Sequence, residues 1–217
     1  LTSGKTLNYT TAWGGPLFLS YSGATAGSTV KLRVRGGTKY AHFDFTRTPT
    51  TAELDEAVQA LNPHVHVQAV QARADAALLD RLLPGASVVL DCSDNYATRH
   101  TINAACVRHR VPLVAGAAVR FDGQITVVDP RQPDAPCYAC LFPPEAQFEE
   151  VQCASLGVFA PLVGIIGAMQ AAQALQLLTG CGEPLVGRLM MLDARTMQWT
   201  TLRSQRLAQC SVCTPAA

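Results

Sequence analysis

Lysine is missing from this chain beyond Lys39, no run of 20 apolar residues is uninterrupted, and charge is scarce: Asp, Glu, Lys and Arg make up 15% of the 217 residues. Each shortage excludes something. A formal net charge of +1 leaves no whole-chain electrostatic footprint for nucleic acid or an anionic membrane surface. The most apolar stretch, Phe159 to Met169, is interrupted by Pro161, Gly164 and Gly167 and falls short of the roughly 20 residues a membrane span needs. No membrane association is therefore expected. The chain opens without a charged n-region, apolar h-region and cleavage site, from which a cytoplasmic location is expected. No G-x-G-x-x-G occurs in residues 1–50, which removes the turn a dinucleotide oxidoreductase would depend on. Disorder is excluded from the other side, because apolar residues reach 48% and the length suffices to bury a core.

What is present divides near residue 50. Residues 1–50 hold six basic side chains (Lys5, Lys31, Arg33, Arg35, Lys39, Arg47) against one acid, Asp44, and are rich in Ser, Thr and Gly. Later residues carry a surplus of acid, and their basic side chains are all arginine. Turn signals (Trp13-Gly14-Gly15-Pro16, Arg35-Gly36-Gly37-Thr38) and short apolar runs (Leu17–Leu19, Val30–Val34) mark the first part, which shows no helix. From residue 52 the periodicity alternates. Helices are expected at 52–61, 75–83, 96–108 and 160–178, and strands at 64–70, 87–90, 112–116, 189–193 and 199–202. Two further short strands are expected around Asp122-Gly123. Strands separated by helices of this length predict βα crossovers and a doubly wound, mainly parallel α/β sheet. Two domains follow: an atypical segment at 1–50 and an α/β domain at 51–217.

Eight cysteines require a redox assignment, and four fall in two tight pairs: Cys137-Tyr138-Ala139-Cys140 and Cys210-Ser211-Val212-Cys213. Without an export signal a metal site is favoured over a disulfide framework. Four thiolates close a tetrahedral Zn²⁺ site with no open position, which makes it structural; a redox Cys-x-x-Cys is the weaker alternative. The run Leu90-Asp91-Cys92-Ser93-Asp94-Asn95 puts carboxylates where a strand turns into a helix, the place where open α/β sheets bind ligands. Asp94 there is either a Mg²⁺ ligand, with Asn95 bonding a nucleotide, or an N-cap of the next helix. The lone Cys153 is a candidate nucleophile, although an inert thiol is favoured on the residues alone. Cys92, Cys106 and Cys181 read as packing residues, and His64 and His66 as surface. The apolar helix at 160–178 is either a core helix or a homodimer seam.

Taken in order, several motifs resemble the ThiF/MoeB/HesA family, the bacterial relatives of ubiquitin-activating enzymes. They are Leu61-Asn62-Pro63-His64, Leu90 through Asn95, Val111 through Ala118, Gly123-Gln124-Ile125-Thr126, both cysteine pairs, Cys153 and Gly157 through Leu162. The resemblance covers about residues 52–213 and implies a Rossmann-like nucleotide fold. It implies an adenylyltransferase that uses ATP and Mg²⁺ to activate the C-terminal glycine of a ubiquitin-like sulfur-carrier protein, of the molybdopterin or thiamine type. By position, Asp94 matches the magnesium-contacting residue and Asn95 its nucleotide-site neighbour. Cys137, Cys140, Cys210 and Cys213 match the structural zinc ligands. Cys153 matches the cysteine that in some members links covalently to the carrier, and a homodimer is implied.

Residues 1–50 depart from the pattern. The resemblance implies an opening strand, a Gly-rich turn and a helix there, followed by a lysine before Asn62-Pro63. The expected lysine position is Thr50. A frameshift or fusion junction near residue 50 would produce both the charge discontinuity and this loss. The alternative function is a catalytically dead scaffold that binds the carrier without activating it.

Overall fold

The structure, a computed structural model, describes the backbone of 7–8, 31–36 and 39–44, single positions between 52 and 72, and residues 73–146 and 156–214 throughout. The chain divides into two compact units, one built mainly from residues before 73 and the other from Arg73–Ala217. In the first unit, β1 (Leu7–Asn8) runs parallel to β2 (Lys31–Gly36), and β2 pairs antiparallel with β3 (Lys39–Asp44). Positions 52, 56, 58 and 60 are helical, and the Asn62 amide donates to the Val58 carbonyl at 3.0 Å. Asn62 Oδ1 then accepts the His64 amide at 3.1 Å, the turn expected where a proline forbids continuation. The strand expected at 64–70 is absent at its described positions 64, 66, 68 and 70. Alternation makes a strand only where a neighbouring ladder takes up its backbone groups.

The second unit opens with α1 (Ala76–Leu82), capped by Asp75, whose carboxylate accepts the Leu78 amide at 2.8 Å. Next come β4 (Val89–Asp91), α2 (Tyr96–His109), β5 (Leu113–Val119) and β6 (Asp122–Val128). The short α3 (Tyr138–Leu141), the long α4 (Ala160–Thr179), β7 (Arg188–Asp193) and β8 (Gln198–Arg203) complete it. The sheet order is β4-β5-β6-β7-β8. Only β4 and β5, joined by the α2 crossover, are parallel; the remaining three pairs are antiparallel. The expected mainly parallel sheet is thus a mixed sheet among the described residues. After α2, tight hairpins join β5 to β6 and β7 to β8, which fixes those pairs as antiparallel, while the long connection through α3 and α4 brings β7 back antiparallel to β6.

Alternation along β5 and β6 sends side chains to two cores. Leu113, Ala115 and Val128 pack with Ile102, Ala105 and Cys106 of α2 and with the knuckle around Tyr138. On the opposite face Val114, Ile125 and Val127 pack against Ala174 of α4. Burying each such aliphatic side chain contributes about 1.5–3 kcal/mol. The β5–β6 turn is Arg120-Phe121, with Val119 opposite Asp122 and Arg120 at φ 49°. It does not lie at Asp122-Gly123: Gly123 sits inside β6, where a Cβ would come within 2.7 Å of Leu162 Cδ1 and 2.9 Å of Ile166 Cδ1. The glycine makes room for α4 rather than a turn.

α4 also corrects the expectation about apolar length. It runs 20 residues and by length and composition alone suffices to cross a membrane. Pro161, in the first turn, starts the helix instead of interrupting it. Its inner face carries Leu162, Ile166, Gln170, Gln173 and Ala174. Gln170 Nε2 donates to the carbonyls of Asp91 at 2.8 Å and Val114 at 3.2 Å, so one buried amide joins the ends of β4 and β5. A Cβ on Gly116 would lie 2.4 Å from Gln170 Cδ. The amide cannot swing aside without giving up both carbonyls, so Gly116→Ala is expected to cost about 1–3 kcal/mol, measured by denaturant melting; a loss below a few tenths would show that Gln170 is free to move.

Candidate functional site

Two constructions stand out in the second unit. The first is a sulfur cluster. Cys137, Cys140, Cys210 and Cys213, separated by up to 76 positions in sequence, place their Sγ atoms within 4.8 Å of one another. Individual separations are 3.9 Å (Cys137–Cys140), 3.6 Å (Cys137–Cys210) and 3.5 Å (Cys140–Cys213). Four thiolates about 2.3 Å from one zinc at tetrahedral corners stand about 3.8 Å apart, so the geometry fits that ion. Each pair sits on a tight turn: the Cys140 amide donates to the Cys137 carbonyl at 3.0 Å, and Thr214 to Cys210 at 3.2 Å. Arg206 clamps the two halves through the carbonyls of Pro133 and Cys213.

Hydrogen bonds to sulfur reinforce the fit. The Leu207 amide donates to Cys140 Sγ at 3.5 Å and Asn103 Nδ2 to Cys137 Sγ at 3.6 Å. Without an ion the thiols respond unevenly. Burial pushes Cys137 up, and its neighbouring sulfurs add to this although Asn103 opposes it. Burial also raises Cys213, to about 11. At Cys210 the same penalty is outweighed by the backbone amides of Cys213 and Val212, which hold the thiol at about 7. A buried cluster of this kind carries like charges together only around a cation.

The second construction is the strand-end loop. Asp91 closes β4 and is almost fully buried; its Oδ1 accepts the Ser93 amide at 2.8 Å. Asp91 Oδ2 and Ser93 Oγ are buried without a hydrogen-bond partner among the described residues. The N-cap of α2 is Asn95, whose Oδ1 accepts the Thr98 amide at 2.8 Å, so Asp94 is relieved of that duty. Among the described residues, half-buried Asp94 accepts only a long contact from Asn95 Nδ2 at 3.4 Å, and no described cation lies within ion-pair reach of it. Arg99, buried on α2, donates to the Ser93 carbonyl and fixes the loop from below, while Gln170 holds it through Asp91 from the α4 side.

Among the other expected residues, His64 and His66 are exposed and Cys106 is buried in the core, its thiol raised to about 12 by burial and by Asp91. Cys181, expected to pack, is exposed just beyond the α4 C-cap Gly180. Cys153 lies outside the described residues. The segment that follows Cys153 docks on the β5–β6 turn: Arg120 exchanges backbone bonds of 2.9 and 2.7 Å with Gly157 and Phe159. Sequence reasoning passed over Arg99, Asn103 and Gln170. A polar residue in a helix reads as surface, and only its place on an otherwise buried stripe would have signalled otherwise.

The ThiF family profile matches residues 41–212. The chain belongs to the ThiF family. This ThiF-family chain is 40% identical over 175 residues to the molybdopterin-synthase adenylyltransferase of Salmonella typhimurium, covering 79% of the chain and 69% of that protein. It is 39% identical over 165 residues to the sulfur carrier protein ThiS adenylyltransferase of Escherichia coli, covering 76% of the chain and 64% of the relative. To the SAMP-activating enzyme E1 of Haloferax volcanii it is 40% identical over 171 residues, with coverages of 78% and 62%. Among solved structures, Escherichia coli MccB aligns with a TM-score of 0.63 at 19% identity, over 76% of this chain and half of that one. That likeness shows the α/β fold. The ThiF-family chain thus spans between half and about two thirds of the length of these four proteins.

Proposed function

We propose that the chain adenylylates the C-terminal glycine of a ubiquitin-like sulfur-carrier protein; its likeness to relatives named as the adenylyltransferases of molybdopterin synthase and of the sulfur carrier protein ThiS supports the reading. The observation that carries the reading is Asp94, freed by the Asn95 cap and set at the carboxyl end of a parallel strand beside buried, unpartnered Asp91 and Ser93 oxygens. In the reaction a carboxylate oxygen of the carrier attacks the α-phosphorus of ATP, a new P–O bond forms, and the bond to the departing pyrophosphate breaks. No proton transfer is required, so the protein's task is to position two anions and offset their charge. Asp94 is suited to hold the Mg²⁺ that accompanies ATP, and Asn95 Nδ2 to donate to the nucleotide; Asn95 Oδ1 is committed to its helix. Cys137, Cys140, Cys210 and Cys213 would together hold zinc, which there would supply folding energy rather than reaction chemistry. Cys153 is proposed as the thiol that links to the carrier in a later step, the assembly as a homodimer and the compartment as the cytoplasm.

A second reading, a scaffold that binds the carrier without activating it, draws on the first unit. Where the family opens with a strand, a Gly-rich turn and a helix, this chain has the antiparallel β2–β3 pair and no G-x-G-x-x-G, and its boundary near residue 50 is proposed as a frameshift or fusion. ATP–pyrophosphate exchange with Mg²⁺ and a carrier ending in Gly-Gly separates the two. Exchange by the purified chain supports adenylylation; carrier binding without exchange supports the scaffold.

A further inference from the structure

Asn103 is fully buried in the middle of α2, and both ends of its amide are committed to the sulfur knuckle. Oδ1 accepts the Tyr138 amide at 3.0 Å, which leaves Nδ2 to donate to Cys137 Sγ at 3.6 Å. Tyr96, His100 and Asn103 stand at i, i+4 and i+7 and form one stripe of the helix facing α3. His100 meets the Tyr138 ring edge-on with centroids 5.6 Å apart, and Tyr96 lies 6.2 Å from Phe142. One turn before Asn103, Arg99 donates to the Ser93 carbonyl, and the first turn of the same helix is capped by Asn95 beside Asp94. A single helix therefore links the knuckle holding two of the four sulfurs to the acidic loop.

We propose that Asn103 is a positioning residue that both steadies the four-thiolate site, by donating to Cys137, and sets the position of α2 and hence of the Asp94 loop. The inference rests on the adenylylation reading for its second half. A metal-bound sulfur carries negative charge and accepts a hydrogen bond strongly, so the Nδ2 donor, placed on Cys137 Sγ by the buried helix, orients that ligand and strengthens its hold on a metal. The Oδ1 acceptor fixes the Tyr138 backbone between the two cysteines of the knuckle, so a shift of α2 is felt at Cys137 and a shift of the knuckle at Ser93.

Two substitutions in the full chain separate the functions of the amide. Asn103→Asp keeps an oxygen for the Tyr138 amide but replaces the donor to Cys137 with a second anion. Asn103→Leu removes both at similar volume. Zinc affinity, measured by competition with a chromophoric chelator, is expected to fall about 10- to 100-fold in each, and more in the Asp variant. Where exchange is measurable, KM for ATP is expected to rise while kcat changes little. Should the variants fail to fold, the unsubstituted chain loaded with a spin-active cadmium isotope gives the same information, because the Asn103 side-chain amide proton is then expected to couple to the metal across Cys137 Sγ. Folded variants with wild-type zinc affinity, or a side-chain amide insensitive to the metal, would overturn the proposal. Failure of the adenylylation reading looks different: no exchange in the wild type, with the zinc affinities still split between wild type and variants.

Discussion

Cys140→Ser is expected to release the metal and melt the second unit at a much lower temperature. The cysteines are part of its core: Cys137 and Cys210 are buried in the cluster that also holds Leu113, Val128, Tyr138 and Ile102. Removing one ligand leaves three sulfurs that cannot satisfy a tetrahedral ion, and the binding free energy of a structural zinc site, on the order of 10 kcal/mol in isolated fingers, is coupled to folding. If even 5 kcal/mol of that is surrendered, a domain of this size loses roughly 10–20 °C in Tm. The measurement is thermal melting alongside metal content by atomic spectroscopy. Chelation of the unsubstituted chain should reproduce the effect, and added zinc should reverse it there but not in the variant. Unchanged melting with metal retained would refute the assignment of these four residues.

The cluster was legible because two Cys-x-x-Cys turns impose their own geometry, and the ion needs nothing else from the sequence. The strand-end loop was half legible. Leu90 through Asn95 announced a turn from strand to helix, yet the cap fell one residue later than Asp94, because a cap is decided by which oxygen reaches the third amide, here Thr98, and not by residue type. Asp122-Gly123 misled in the same way. Glycine signals a turn and a close approach with one letter, and only the packing of Leu162 and Ile166 over β6 distinguishes them. Sheet direction was misjudged because helix-length spacing was taken to mean parallel neighbours, whereas β5–β6 and β7–β8 are hairpins and the helical connection through α4 returns β7 antiparallel to β6. Gln170 and Asn103 were invisible for a deeper reason. Their hydrogen bonds reach 79 and 34 residues along the chain, and no local pattern encodes a partner that distant.

Asp94→Ala is expected to lower ATP–pyrophosphate exchange at least about 100-fold, the scale set by removing one electrostatic group from a charged transition state, while leaving the fold intact. The two effects separate because the stabilising duties of the loop belong to its neighbours. Asn95 caps α2, Asp91 and Arg99 anchor Ser93, and Gln170 ties β4 to β5. Asp94 itself contributes a long contact to Asn95 and a favourable carboxylate near the helix N-terminus, together worth no more than about 1 kcal/mol. Asn95→Ala is expected to differ in kind, since losing the cap costs about 1 kcal/mol of stability while the lost Nδ2 donor also weakens nucleotide binding. Asp94→Asn sharpens the test: it keeps an oxygen of the right size and removes only the charge, so a loss as deep as that of the alanine variant identifies charge rather than shape as the contribution. Exchange retained in Asp94→Ala would move the magnesium role to another oxygen, and the buried, unpartnered Asp91 carboxylate would be the next residue to test.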